Sequence, residues 1–287
     1  MAQPAPVLRY IVRHGSMRFL GDFAAPPGRT FGRLDNVILQ TERGTELGQV
    51  LCPTTPEALR FLPEKITGQI LRAATPEDLK HAENLRAKRN ADYELARKLI
   101  MEHRLPMQLV DTERLFGGER VIFYFLAERR VDFRELVRSM AREFQSRIEL
   151  RHIGIRDEAR LLADYGDCGR PVCCNTFLTV MPSVTMRMAK IQKATLDPNK
   201  ISGRCGRLKC CLRYEQDVYD EHLKGMPEVG MRVLTREGQG LVLYQEPLAR
   251  RLLVEFEDGR RLPIPANEII SQLGFAPGYQ AQTDGEI

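Results

Sequence analysis

The chain has 287 residues, 28% charged and 43% hydrophobic, with a formal net charge of +5 and no tryptophan. This is ordinary for a globular protein, and the length has room for a real core divided over two to four small modules. The longest strictly apolar run, Val121–Ala127, is far short of the ~20 residues that span a bilayer, and Met1–Pro6 lacks the charged and apolar regions of a signal peptide. The expectation is a cytoplasmic protein with reduced thiols.

In chain order, Leu8–His14 reads as a strand, Gly15-Ser16 as a tight turn and Met17–Leu20 as its return. Pro26-Pro27-Gly28 marks a loop, and Arg43-Gly44 joins strands over Asn36–Thr41 and Glu46–Cys52. These form an N-terminal β module over residues 1–62, in which Cys52 is a packing residue. Pro53, Pro56 and Pro63 punctuate the exit.

A long helix follows: Thr75 is a good N-cap, Pro76 suits the first helical position, and Glu77 and Asp78 suit the positive end of the dipole. Leu79, Ala82, Leu85, Tyr93, Ala96 and Leu99 or Ile100 give its apolar stripe, and it ends near Arg104. Its other face, with Lys80, Arg86, Lys88, Arg89, Arg97, Lys98 and Arg104 among acids, reads as solvated. Strands over Met107–Leu115 and Val121–Leu126 flank the turn Gly117-Gly118. A helix starting at Asp132 and Glu135 carries Phe133, Leu136, Val137, Met140 and Phe144 inward, and Arg147–Ile153 is a further strand. With Glu46–Cys52 or a neighbour as opening strand, residues 63–155 make a ferredoxin-like α/β sandwich. The whole is an α+β chain.

Residues 156–226 form a cysteine-rich module. Asp164–Asp167 leads into it, Asn175–Val180 looks extended, Val184–Lys193 is a short helix, Asp197-Pro198-Asn199 a turn, and the stretch from Leu212 to Leu223 helical. Residues 227–272 read as an SH3-like small barrel, with strands Gly230–Thr235, Leu241–Gln245, Arg251–Glu257 and Arg260–Ile264 and a glycine turn at Glu237–Gly240. Residues 273–287 read as a flexible tail.

Six of the seven cysteines lie in two copies of one pattern, Cys168-Gly169-Arg170-Pro171-Val172-Cys173-Cys174 and Cys205-Gly206-Arg207-Leu208-Lys209-Cys210-Cys211, spaced 37 residues apart and identical at five of seven positions. Buried structural cysteines, disulfides and a catalytic cysteine are the plainer readings, but none accounts for triplets duplicated in register. Two loops folded onto each other supply up to six thiolates to one metal or iron–sulfur site. The glycine permits a tight turn, and the arginine favours thiolate over thiol. The C-x₄-C spacing matches neither the zinc C-x₂-C knuckle nor a complete ferredoxin run. The adjacent cysteines tilt the choice towards a cluster, or a site shared with another chain.

Between Ser183 and Arg213 stand eight bases, Arg187, Lys190, Lys193, Lys200, Arg204, Arg207, Lys209 and Arg213, against the single acid Asp197. They offset the thiolate charge, dock an acidic partner, or form a polyanion-binding face for which RNA is the obvious candidate. The stretch has no aromatic residue, so direct RNA contact is expected to be weak, salt-sensitive and sequence-indifferent. A redox enzyme is the remaining class, but neither a nucleotide-binding glycine loop nor an acid–base pair is visible.

The run from Lys200 to Glu215 resembles the bacterial RicT (YaaT-like) proteins, which carry a polymerase-suppressor-type (PSP) C-terminal domain. Cys168–Cys174, Met188-Ala189-Lys190, Thr41–Gly48, and Glu228–Val233 with Gly238-Gln239-Gly240 are similar to the same family, while Leu8–Phe23 departs from its opening strands. The resemblance implies a non-enzymatic cytoplasmic regulator that holds iron–sulfur clusters together with two small helical partner proteins. It also implies support of RNase Y in messenger-RNA processing, with effects on sporulation, competence and biofilm development in spore formers. The ligands it implies are Cys168, Cys173, Cys174, Cys205, Cys210 and Cys211. The cofactor it implies is a four-iron–four-sulfur cluster, with zinc as the alternative.

Overall fold

The computed structural model describes residues 7–62, 66–162, 165–178 and 182–276. The chain divides into two compact units, Met1–Met181 with Arg204–Arg207, and Pro182–Gly203 with Leu208–Ile287.

The first unit opens with a closed five-stranded barrel of order β1-β2-β5-β3-β4. Its strands are β1 (Arg9–His14), β2 (Phe19–Ala24), β3 (Asn36–Thr41), β4 (Gly44–Pro53) and β5 (Thr67–Ala73), with a single helical turn, α1 (Pro56–Leu59), before β5. Alternating inward residues fill it: Val12, Phe23, Val37, Leu39, Val50 and Ile70 are essentially inaccessible to water. Each such side chain contributes about 1.5–3 kcal/mol on burial. The sequence predicts no element between Pro63 and Thr75, within the span 63–155 expected to be ferredoxin-like, yet β5 pairs parallel with β2 and antiparallel with β3 and so closes the barrel.

Helix α2 (Pro76–Glu102) starts where its signals place it. The Thr75 hydroxyl accepts from Asp78 N at 3.3 Å and the Asp78 carboxylate from Thr75 N at 2.8 Å, a reciprocal cap that Arg72 extends by pairing with Asp78. It packs on a three-stranded sheet of order β6-β7-β8, formed by β6 (Gln108–Arg114), β7 (Arg120–Leu126) and β8 (Arg147–His152). The antiparallel hairpin β6–β7 is followed by a crossover through α3 (Arg134–Phe144) to β8, parallel to β7. No fourth strand joins this sheet among the described residues, because β4 and β5, the candidates for the opening strand of a ferredoxin-like sandwich, both belong to the barrel. That expectation is corrected to a smaller mixed sheet.

Strand β7 is apolar from Val121 to Leu126 because both its faces are covered. Val121 and Phe123 meet α2 and α3, while Ile122 and Tyr124 share a second cluster with Met17 of the β1–β2 turn. Two short helices, α4 (Ile155–Leu162) and α5 (Cys173–Thr176), follow. Neither is predicted from the sequence, and α5 replaces the extended start expected at Asn175. Asp164 and Val180 lie outside the described residues.

The second unit holds α6 (Met186–Ile191), α7 (Pro198–Ile201), α8 (Cys210–Leu223) and five strands: β9 (Met231–Thr235), β10 (Gly238–Glu246), β11 (Arg251–Phe256), β12 (Arg261–Pro265) and β13 (Ser271–Phe275). The strands form an antiparallel sheet of order β12-β11-β10-β9-β13 over a core of Val233, Val242, Leu252, Val254, Phe256 and Ile264. The expected small barrel is thus a five-stranded sheet whose hydrogen-bonding edges, among the described residues, are β12 and β13. Part of the expected tail is β13 itself, which pairs with β9; residues 277–287 lie outside the described residues. No helix among the described residues is long and apolar enough to cross a membrane.

Candidate metal centre

The duplicated cysteine pattern folds the same way twice. In the first copy Tyr165 and Pro171 form an antiparallel bridge; in the second, 37 residues on, Ser202 and Leu208 do. Each loop turns through a left-handed glycine, Gly169 at φ +75° and Gly206 at φ +71°, a conformation glycine adopts without strain. A residue in extended backbone then starts a helix at the next cysteine: Val172 (φ −56°, ψ 133°) before Cys173, and Lys209 (φ −56°, ψ 126°) before Cys210. The cysteine pairs therefore open helical turns, Cys173 at the start of α5 and Cys210 at the start of α8.

The sulfurs of Cys173, Cys210 and Cys211 lie within 4.8 Å of one another, all partly buried. A three-thiol group this tight could hold a metal ion. Its donors are soft, which suits zinc or iron–sulfur chemistry and not magnesium or calcium. A hydrogen bond with Cys210, and then burial, push the Cys211 thiol far above its ordinary value. Cys174, half-buried, is also raised, chiefly by burial, with Cys205 adding to the effect and the guanidinium groups of Arg160 and Arg156 opposing it. Cys168 is exposed at the head of its loop, and Cys52 is a free thiol on β4, outside the three-sulfur group. Three sulfurs are one short of a closed tetrahedral site. Cys174, Cys205 and Cys168 are the remaining thiols of the repeat.

Arg156 and Arg160, one turn apart on α4, have no motif of their own in the sequence, and α4 is only eight residues long. Of the basic residues singled out in the sequence, Arg187, Lys190, Lys193, Lys200, Arg204 and Arg207 are exposed, while Lys209 and Arg213 are half-covered. Arg204 lies 3.7 Å from Asp167, Arg213 pairs with Asp217 at 2.8 Å, and Lys193 sits 4.1 Å over the Tyr244 ring.

The chain is 43% identical over 221 residues to the stage 0 sporulation protein YaaT of Bacillus subtilis (strain 168), an overlap of 76% of this chain and 79% of that protein. The chain belongs to the YaaT family. The PSP1 C-terminal conserved region matches residues 68–153, and the third domain of PSP1-like proteins matches residues 183–226. In this YaaT-family chain the PSP1 region is therefore central, running from β5 to the end of β8, and the third-domain match takes in the second cysteine loop. An uncharacterized protein of Schizosaccharomyces pombe (strain 972) is 23% identical over 140 residues, 40% of this chain and 19% of its own length. No solved structure matches the chain.

Proposed function

We propose that this chain is a cytoplasmic, non-enzymatic regulatory adaptor whose cysteine loops hold an iron–sulfur cluster, with zinc as the alternative. The observation that carries the reading is the convergence of Cys173, Cys210 and Cys211 within 4.8 Å. Cys168, Cys174 and Cys205 are the reserve from which a fourth ligand comes. A small helical partner protein supplies it if the site is shared. The output we propose is modulation of an RNase Y-type endoribonuclease in messenger-RNA processing. The name of the Bacillus relative, a sporulation protein, supports placing that output in a developmental programme.

The test is anaerobic purification followed by quantification of iron, acid-labile sulfide and zinc, with a visible absorption spectrum. Iron and sulfide in equal amounts support the cluster. Stoichiometric zinc without sulfide moves the reading to a structural zinc site, and a metal-free chain that is fully folded and active in its partner complex sinks both.

A second reading, direct RNA binding through the basic stretch, is favoured by the exposure of Arg187, Lys190, Lys200 and Arg207. Titration of short RNAs at two salt concentrations separates the two. Phosphate-only contact weakens steeply as salt rises, whereas tight, sequence-selective and salt-tolerant binding replaces the adaptor by an RNA-binding protein.

A further inference from the structure

The unit Met1–Met181 carries a partly open cavity of about 590 Å³ whose wall is drawn mainly from β1, β4, α2, β6 and α4. The wall holds six arginines and only three carboxylates, Glu46, Asp111 and Glu113. Two of the arginines are satisfied within the protein: Arg89 donates to Asp111 at 2.5 Å and Arg114 to Asp92 at 2.5 Å. Arg13, Arg18, Arg86 and Arg160 form no ion pair among the described residues; Arg160 donates to the Arg18 carbonyl at 3.0 Å and Arg18 to the Asn175 carbonyl at 3.1 Å. Burial, and after it the charge of Arg18, hold the Arg13 guanidinium below its usual value; burial lowers Arg160 too, against the opposing charges of Asp157 and Cys174. Arg13, whose Nη2 donates to Gln49 Oε1 at 2.7 Å, Arg18 and Arg160 thus share one wall with no ion pair among the described residues, an arrangement that a polyvalent anion would complement.

The wall also carries unpartnered polar atoms. His14 Nε2, Asp111 Oδ2 and Arg160 Nε are buried without a hydrogen-bond partner, against the rule that buried polar atoms are paired. The Nδ1 of His14 is taken by Glu46 at 3.1 Å, so Nε2 is the nitrogen left to meet a ligand.

We propose that this cavity binds a small phosphorylated organic ligand of about nucleotide size, its phosphate held by Arg13, Arg18 and Arg160 and its hydroxyl or amino groups by Asp111 and His14. The volume lies within the roughly 300–1,000 Å³ of small-molecule sites and accommodates one nucleotide, not a strand. None of the basic residues between Ser183 and Arg213 lines it, so it is separate from the polyanion-binding stretch. The inference does not depend on what the cysteines bind.

The experiment is isothermal titration of the purified full chain with inorganic pyrophosphate, ADP and GDP, with metal content measured on the same samples. Both nucleotides and pyrophosphate are expected to bind. Arg18→Gln and Arg86→Gln, both at exposed positions and so compatible with folding, should leave thermal stability and metal content unchanged. Arg18→Gln should weaken every probe about ten-fold or more, the loss of a charge-assisted hydrogen bond, with a smaller loss for Arg86→Gln, while Arg138→Gln on α3 has no effect. Failure of all three probes to bind the wild-type chain at millimolar concentration overturns the proposal, as does undiminished binding in Arg18→Gln. Arg18-dependent binding of a single-stranded RNA with no binding of the small probes also overturns it, in favour of RNA.

Discussion

Arg43 of the barrel donates through Nη2 to Oε2 of Glu113 on β6 at 2.5 Å, and both side chains are largely withdrawn from water. Glu113 also accepts from Tyr124 Oη at 2.6 Å and from Ser16 N at 2.8 Å, so one carboxylate ties the barrel hairpin to the middle sheet. Removing one member of such a pair strands the other charge, at a cost of roughly 3 kcal/mol or more. Glu113→Ala should show this loss in urea denaturation followed by circular dichroism; a change below about 1 kcal/mol, the scale of an exposed pair, would mean that the link is dispensable.

Cysteine substitutions should sort by position. Cys210→Ser should lose most bound metal, because a hydroxyl is a poor ligand for soft metals and its sulfur belongs to the three-thiol group. Cys52→Ser on β4 should keep it. Equal metal content in the two purified variants would remove Cys210 from the ligand set.

Gly206 offers a gentler perturbation of the same centre. A Cβ there meets nothing within 4 Å, so Gly206→Ala costs only the left-handed backbone at φ +71°, about 1–2 kcal/mol. Metal should be lost to a chelator faster than from wild type, while Gly206→Asn, whose side chain tolerates that conformation, should fall between. Identical loss rates for all three proteins would show that the turn does not set the geometry of the loop.

Acid should destabilise the barrel through Glu46. Burial raises its proton affinity, but the hydrogen bond and charge of His14, with help from Arg43 and Thr41, outweigh this and hold it below the ordinary 4.5. The unfolded chain therefore binds that proton more readily. The contribution to stability is full above about pH 4.5 and is lost as pH falls through the depressed folded value. Asp111 works in the opposite sense, since burial raises it. Urea midpoints measured from pH 7 to pH 3 should fall less steeply for Glu46→Gln than for wild type; parallel curves would place the acid sensitivity elsewhere.

Local signals were legible wherever one short segment carried the whole message. The run Thr75-Pro76-Glu77-Asp78 announced α2 and its cap, and the duplicated C-G-R-x-x-C-C pattern announced two loops of one conformation. Strand β5 was not legible, because only Ile70 of its seven residues is buried and no alternation marks it; its place is set by partners more than twenty residues away. The four-stranded sandwich expected for the middle sheet came from taking Glu46–Cys52 or a neighbour as its opening strand, whereas β4 belongs to the barrel. The cavity was invisible for a related reason. Arg13, Arg18, Arg86 and Arg160 lie on three separate parts of the chain, and each alone reads as a solvated surface charge. Only the fold brings them to one wall.

The pairing of β5 with β2 and β3 has a consequence for synthesis. The barrel's first four strands are complete by Pro53, but the ring stays open until Thr67–Ala73 arrives. On a ribosome adding about 5–20 residues per second, the nascent barrel presents the unpaired edges of β2 and β3 for the seconds in which those residues emerge. Such edges template pairing with other chains. Thr75 then caps α2 two residues after β5 ends, so the strand that seals the ring also delivers the next helix to its starting point.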